Sequence, residues 1–120
     1  AGEIILTDVS REGTGLGANI EIVSNLVKSV KIPAIYHGGV GKKEHILEIL
    51  KIKNIDGICI SSILHYSAII ENKELYMNKT KKIGNTQFLE KKFLNQNYEK
   101  ISLIDLKKFL NNNNIYTRFN

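Results

Sequence analysis

One pattern constrains this chain more than any other. A short apolar run, a glycine- or serine-bearing loop and a stretch of helical period follow one another three times within residues 1–66. The first run, Glu3-Ile4-Ile5-Leu6-Thr7, is nearly continuous in apolar residues, as expected of a strand covered on both faces. Asp8 to Gly17 supplies three glycines, two acids and an arginine, the composition of a loop. From Asn19, positions Ile20, Val23, Leu26, Val27 and Val30 keep a helical period, and Lys28 and Lys31 fall toward the end, where cations suit the helix dipole. Pro33 stops that helix ahead of a second strand, Ala34-Ile35-Tyr36. His37-Gly38-Gly39-Val40-Gly41 is the next turn, and Lys42 to Lys53 the next helix, with Ile46, Leu47, Ile49 and Leu50 on its buried side. Asn54 ends it. Ile58-Cys59-Ile60 is the third strand, Ser61-Ser62 its turn, and Ile63-Leu64-His65-Tyr66 the start of a short helix. Strand–loop–helix units in series require a parallel sheet with helical crossovers and place successive strands side by side.

Beyond residue 66 the cycle breaks. Apolar residues between Ser67 and Glu99 are sparse and separated by Lys, Asn and Gly, so this stretch is expected to be an insertion with some helix near Thr86–Leu94. A last helix is expected from Ser102, a suitable N-cap, to Leu110, with Ile104, Leu106, Phe109 and Leu110 as its apolar face. Ile115 to Phe119 is expected to tuck back as an extended tail. The organisation predicted is thus 1–66 for the three units, 67–99 for the insertion and 100–120 for the closing helix and tail. Three strands alone leave sheet edges exposed, and the chain starts without Met. Both point to the C-terminal part of something longer.

Composition narrows the function classes. A hydrophobic fraction of 42% supports a core rather than disorder. A single cysteine excludes an internal disulfide and thiolate-rich zinc sites. The three histidines are too far apart in sequence for a metal-ligand spacing, so no metal is expected. No apolar run suits a bilayer crossing and no secretory leader is legible, which gives a cytoplasmic expectation. Residues 1–70 carry seven basic and seven acidic side chains, so the net +5 belongs wholly to residues 71–120. No aromatic stripe or paired-arginine cluster accompanies those lysines. They are read as a solvated surface, with no nucleic-acid partner and no membrane.

The loops carry the chemistry. All three follow the C-terminal ends of strands, the functional face of parallel α/β architecture. A phosphate needs several donors converging on its oxygens, and helix-start N–H groups, peptide units unshielded by Cβ and serine hydroxyls supply them. Gly38-Gly39 alone is as easily a tight turn. With Ser61-Ser62 one unit later, a phosphate cradle is the better reading. In the first loop Asp8 and Glu12 are candidates to orient substrate hydroxyls or carry protons if they converge, with Arg11 a candidate to pair with one of them. His37 is expected to point toward substrate or a neighbouring loop. His45 and His65 are expected to pack or cap, and Cys59, mid-strand, to be inert core.

Together these pieces resemble a known family. Residues 1–7 with Ser10-Arg11-Glu12-Gly13-Thr14 and Gly17 resemble the sixth strand and loop of the cyclase subunit of imidazole glycerol phosphate synthase. Ile32-Pro33-Ala34, Gly38-Gly39-Val40-Gly41-Lys42 and Glu44-His45 resemble its seventh unit. Ser62-Ile63-Leu64-His65-Tyr66 and Leu106-Lys107-Lys108-Phe109-Leu110 resemble the eighth. The resemblance implies an α/β fold, the C-terminal portion of a (βα)8 TIM barrel with an insertion before the last helix. It implies a lyase of histidine biosynthesis that takes ammonia from a glutaminase partner and needs no cofactor. Its phosphorylated substrate, a ribulosyl aminoimidazole carboxamide, is cleaved to imidazole glycerol phosphate and aminoimidazole carboxamide ribotide. It places one substrate phosphate on Gly13, Gly39 and Ser62, with Ser61 beside them, in agreement with the cradle that includes Gly38, and it matches Thr7 to a substrate-facing threonine and Glu12 to a position near the substrate's glycerol end. The family's catalytic aspartates lie on its first and fifth strands, so none is assigned in this portion. Glu12 stands for the usual Asp, Ser10 for another Asp, Asp8 for a Ser, His37 for a Ser, and Gly15-Leu16 for Lys-Ser. These departures on the binding face keep two alternatives open: a paralogue paired with an amidotransferase in surface-glycan sugar amidation, or another phosphate-binding barrel isomerase.

Overall fold

The computed structural model describes residues 1–72 and 97–118. Its elements run β1 (Ile4–Thr7), α1 (Ile20–Val27), β2 (Ala34–His37), α2 (Lys43–Leu50), β3 (Ile55–Cys59), α3 (Ser62–Glu71) and α4 (Leu103–Asn112). The strands form one parallel sheet in the order β1-β2-β3, as the strand–helix alternation requires. Three parallel strands with helical crossovers are consistent with an incomplete (βα)8 barrel. The helix expected near Thr86–Leu94 lies outside the described residues. No helix among the described residues is long and apolar enough to cross a membrane.

The core forms where one face of the sheet meets the helices. Ala34 and Tyr36 on β2 and Ile55 on β3 are buried with Val23 and Val27 of α1, Ile46 and Ile49 of α2, Ile63 of α3, and Leu106 and Leu110 of α4. Strand alternation sends the other set to the opposite face, where Ile5 remains 58% exposed. In cross-strand register that face carries two rows, Ile5–Ile35–Gly57 and Thr7–His37–Cys59. Among the described residues it is thus not covered on both sides, although its residues are as apolar as a doubly covered strand demands. A closed barrel would fill this face with layers from its other strands.

Several boundaries differ from expectation for identifiable reasons. β3 starts at Ile55, not Ile58, because Asp56 sits at a register irregularity opposite the Ala34/Ile35 step. Its carboxylate accepts the Ala34 N–H at 3.2 Å, so a residue ahead of the expected strand is part of the ladder. Asn54 ahead of it takes φ +72°, a left-handed conformation that Asn tolerates. Helix α1 stops at Val27, so Lys31 lies beyond it; its start is capped by Asn19, whose Oδ1 accepts the Ile22 N–H. In α2, Leu47 and Leu50 are half-buried while Ile46 and Ile49 carry the seal.

Ser102 caps α4 as expected, accepting the Asp105 N–H at 3.1 Å. Of its predicted apolar face, Leu106 and Leu110 are buried and Ile104 is exposed, because Ile104 falls off the stripe that meets the core. The asparagine run after it closes the chain. Asn114 takes φ +63°, Ile115 N–H donates back to the Leu110 carbonyl at 2.9 Å, and Asn111 holds Thr117 through two hydrogen bonds. The tail therefore folds back on α4, and the run has a local capping task.

Candidate functional site

The first two loops at the C-terminal ends of the strands meet backbone to backbone. The Gly17 N–H donates to the Gly39 carbonyl at 2.7 Å, and the Asp8 N–H to the His37 carbonyl at 3.0 Å. A Cβ on Gly39 would lie 2.5 Å from the Gly17 oxygen and 2.9 Å from Arg11 Cβ, at a backbone φ of +70°. Glycine is therefore obligatory at Gly39 for packing alone. The close approach that excludes a side chain also leaves the peptide groups there unshielded by Cβ.

Between these loops lies a cavity of about 110 Å³ lined by Glu12, Gly13, His37, Gly38, Gly39, Cys59, Ser61, Ser62 and Tyr98, with Val40 and Ile60. It gathers Gly13, Gly38, Gly39, Ser61 and Ser62, taken from all three loops, together with Glu12 and His37. Thr7 is not in the lining; it touches the site through His37, whose Nδ1 lies 3.5 Å from Thr7 Oγ1. Helix α3 starts at this cavity. Its first turn-closing bonds are donated by Leu64 and His65 to the Ser61 carbonyl, which leaves the Ser62 and Ile63 amides ahead of the intrahelical ladder. Ser61 makes no side-chain cap bond there. Among the described residues no lysine or arginine lines the cavity. A bound anion would be met by neutral donors and the helix dipole, with the Glu12 carboxylate opposing it.

The remaining first-loop candidates do not converge. Asp8 Oδ1 accepts from the Ser10 N–H at 3.1 Å and the Ser10 hydroxyl at 2.7 Å, a local Asx turn, and Asp8 is absent from the cavity wall. Arg11 pairs with neither carboxylate among the described residues; its Nη1 reaches the Leu16 carbonyl at 3.5 Å. Cys59 is exposed, not core: it closes β3 on the uncovered face, opposite His37. His65 is exposed with its ring against Tyr66. His45 packs beneath the second loop, where Nδ1 accepts the Gly41 N–H at 3.3 Å. Burial lowers its pKa, which favours the neutral ring that this acceptor role needs. Among the described residues no group of three or more His, Cys, Asp or Glu could hold a metal ion.

Two site residues had no legible signal. Tyr98 lines the cavity along with Ser62, its ring edge-on to Tyr66 with centroids 4.8 Å apart. Glu99 fixes Tyr98 in place: its carboxylate accepts from the Lys43 N–H at 3.0 Å and from Lys43 Nζ at 2.6 Å. Burial raises the Glu99 pKa, but the Lys43 hydrogen bonds more than offset it and hold the carboxyl below its usual range. Both residues arrive from a region with no helical or strand period.

Comparison with known proteins agrees with this architecture. The family described as "Histidine biosynthesis protein" matches residues 1–70, which contain all three loops. The chain belongs to that family. Subunit HisF of imidazole glycerol phosphate synthase from Saccharolobus solfataricus is 43% identical over 75 residues, covering 62% of this chain and 30% of the relative. The HisF subunit of a Hydrogenobaculum species is 41% identical over 69 residues, 58% of this chain and 27% of the relative. That of Clostridium botulinum is 39% identical over 80 residues, 66% of this chain and 32% of the relative. The chain spans under a third of the length of these curated relatives. Within this histidine biosynthesis family match lie Gly13, Gly38, Gly39, Ser61 and Ser62, whereas Tyr98 and Glu99 lie beyond it.

Proposed function

We propose that these residues are the phosphate-binding portion of an imidazole glycerol phosphate synthase cyclase. In that role the protein uses ammonia from a glutaminase partner to convert the phosphoribulosyl aminoimidazole carboxamide intermediate to imidazole glycerol phosphate and aminoimidazole carboxamide ribotide. One observation carries the reading: a single cavity is walled by Gly13, Gly38, Gly39, Ser61 and Ser62, drawn from three separate loops. Converging peptide N–H groups and hydroxyls are what a phosphoryl group needs, and about 110 Å³ is the room of a few water molecules. The HisF relatives are subunits by description, which supports a partner chain.

Glu12 repels a phosphate but accepts from hydroxyls, so its place is against the substrate's polyol end. His37, steadied by Thr7, presents an imidazole to the same space. Neither acts here as the catalytic acid or base, a task that the resemblance gives to aspartates on strands without a counterpart in these residues. The full-length polypeptide is expected to turn over the ribulosyl intermediate with ammonium salts. Absence of both products at high enzyme concentration overturns this reading.

A second reading is favoured by His37 and Tyr98, two bulky side chains on the wall of the cavity. They suit a paralogue that acts beside an amidotransferase on a surface-glycan sugar. Intact phosphate binding without turnover of the ribulosyl intermediate would select it.

A further inference from the structure

Residues 97–101 form a strap tied to the first two loops and to α3. Asn97 Nδ2 donates to the Thr14 carbonyl of the first loop at 3.0 Å. The Glu99 N–H donates to the Gly41 carbonyl of the second at 2.7 Å, and the Glu99 carboxylate accepts from both the N–H and Nζ of Lys43, the first residue of α2. The Ile101 N–H donates to buried Ser67 Oγ of α3 at 2.9 Å. A Cβ on Gly41 would strike the Asn97 and Gly15 carbonyl oxygens, so the strap is pressed against both loops. Tyr98 sits between the Asn97 and Glu99 anchors. It is half-buried, its ring stands edge-on to Tyr66, and it forms part of the cavity wall beside Ser61 and Ser62.

Two properties of the cavity give such a wall a consequence. Among the described residues its donors are neutral, and neutral donors hold an anion well only where the walls keep competing water away. Its volume of about 110 Å³ is the room of a few water molecules, which suits one phosphoryl group and not two joined ones. Tyr98 cannot retreat to make more room without breaking the anchors on either side of it. We propose that Tyr98 is the size-determining wall of the anion pocket, its ring confining the site to a single terminal phosphoryl group. The pocket therefore admits phosphomonoesters and rejects diphosphates. This role needs the ring and not the phenol hydroxyl. The inference rests on the phosphate reading above and adds a specificity-determining residue from outside the family-matched region, carried in by the strap.

The test is calorimetric binding of inorganic phosphate, glycerol 3-phosphate and pyrophosphate to the full chain and to Tyr98→Phe and Tyr98→Ala. The unmutated chain is expected to bind pyrophosphate about ten-fold more weakly than phosphate or worse, the scale of overfilling a packed site. Tyr98→Phe is expected to keep that ratio. Tyr98→Ala is expected to bring the two affinities within about two-fold, by easing entry of pyrophosphate and weakening the two single-phosphoryl probes. A ratio of affinities is blind to lost stability, because a partly unfolded population lowers all of them by one factor. If Tyr98→Ala is unfolded at the assay temperature, Tyr98→Leu is read in the same way. Equal affinity for phosphate and pyrophosphate in the unmutated chain, or an unchanged ratio in the small-residue variant, overturns the wall role while the pocket stands. If the unmutated chain binds none of the three probes, the phosphate reading fails and this inference fails with it.

Discussion

The Gly17 amide and the Gly39 carbonyl are 2.7 Å apart, and this bond joins the first loop to the second directly over the candidate cradle. The bond that shapes the two loops therefore also shapes the candidate cradle. Replacing Gly39 by Ala places a methyl 2.5 Å from the Gly17 oxygen at φ +70°. The expected cost is about 2 kcal/mol or more in stability, read by chemical denaturation, with weaker phosphate binding as a companion effect. A Gly39→Ala variant as stable as its parent would show that the two loops are not held as described.

Glu12 shares the cavity with the donors but carries the wrong charge for a phosphate. Glu12→Gln is expected to bind inorganic phosphate a few-fold more tightly, by removal of like-charge repulsion. For a substrate whose hydroxyls the carboxylate accepts, affinity should fall. Titration calorimetry with the two kinds of ligand separates these effects. The same direction of change for both contradicts the assignment of Glu12 to the polyol end.

Acid should loosen the second loop through His45. Its folded pKa lies below the ordinary value of 6.5 because of burial, so the unfolded chain binds the extra proton first. The stabilisation is whole above about pH 6.5 and declines as pH falls below it. Protonated Nδ1 also ceases to accept from the Gly41 amide. Melting temperatures between pH 7.5 and 5 should fall in the parent, and His45→Gln should flatten that slope from a lower starting point. An equal slope in the variant assigns the pH dependence to other groups.

Tyr36 is 1% exposed and its hydroxyl has no hydrogen-bond partner among the described residues. Removing an unsatisfied buried polar group relieves a desolvation cost, so Tyr36→Phe is expected to gain up to about 1 kcal/mol. Burial, helped by the Asp8 charge, pushes the Tyr36 pKa up to about 12 from 10.0. The folded state thus holds this proton longer than the unfolded chain, and stability is lost as pH rises from 10 toward 12. Denaturation midpoints at pH 7 and 11 test both statements: the phenylalanine variant should be at least as stable at neutrality and lose less in alkali. A clear loss at pH 7 would mean that the hydroxyl is satisfied.

Legibility in the sequence followed the range of the interactions. The βα cycle rests on local period, and Gly13, Gly38, Gly39, Ser61 and Ser62 fall at strand ends that the cycle itself marks. Two misreadings share a cause, because pairing across the sheet decides what a single strand cannot. The third strand reads as Ile58–Ile60 until Ala34 supplies a partner for the Asp56 carboxylate and the ladder starts at Ile55. Cys59 looks like core until the register puts it on the uncovered face. Arg11 beside Glu12 suggests an ion pair, yet the loop turns the guanidinium to the Leu16 carbonyl. Tyr98 was out of reach altogether. Its position depends on Asn97 reaching Thr14 and Glu99 reaching Lys43, 83 and 56 residues away, and no period encodes such contacts.

The central claim is that three loops form one phosphate pocket, and residue-resolved amide NMR during titration with inorganic phosphate tests it most directly. The account predicts saturable shifts concentrated at Gly13, Gly38, Gly39, Ser61, Ser62 and the Ile63 amide at the start of α3. Shifts confined to the lysine-bearing surface after residue 97, with these six amides unmoved, would contradict it.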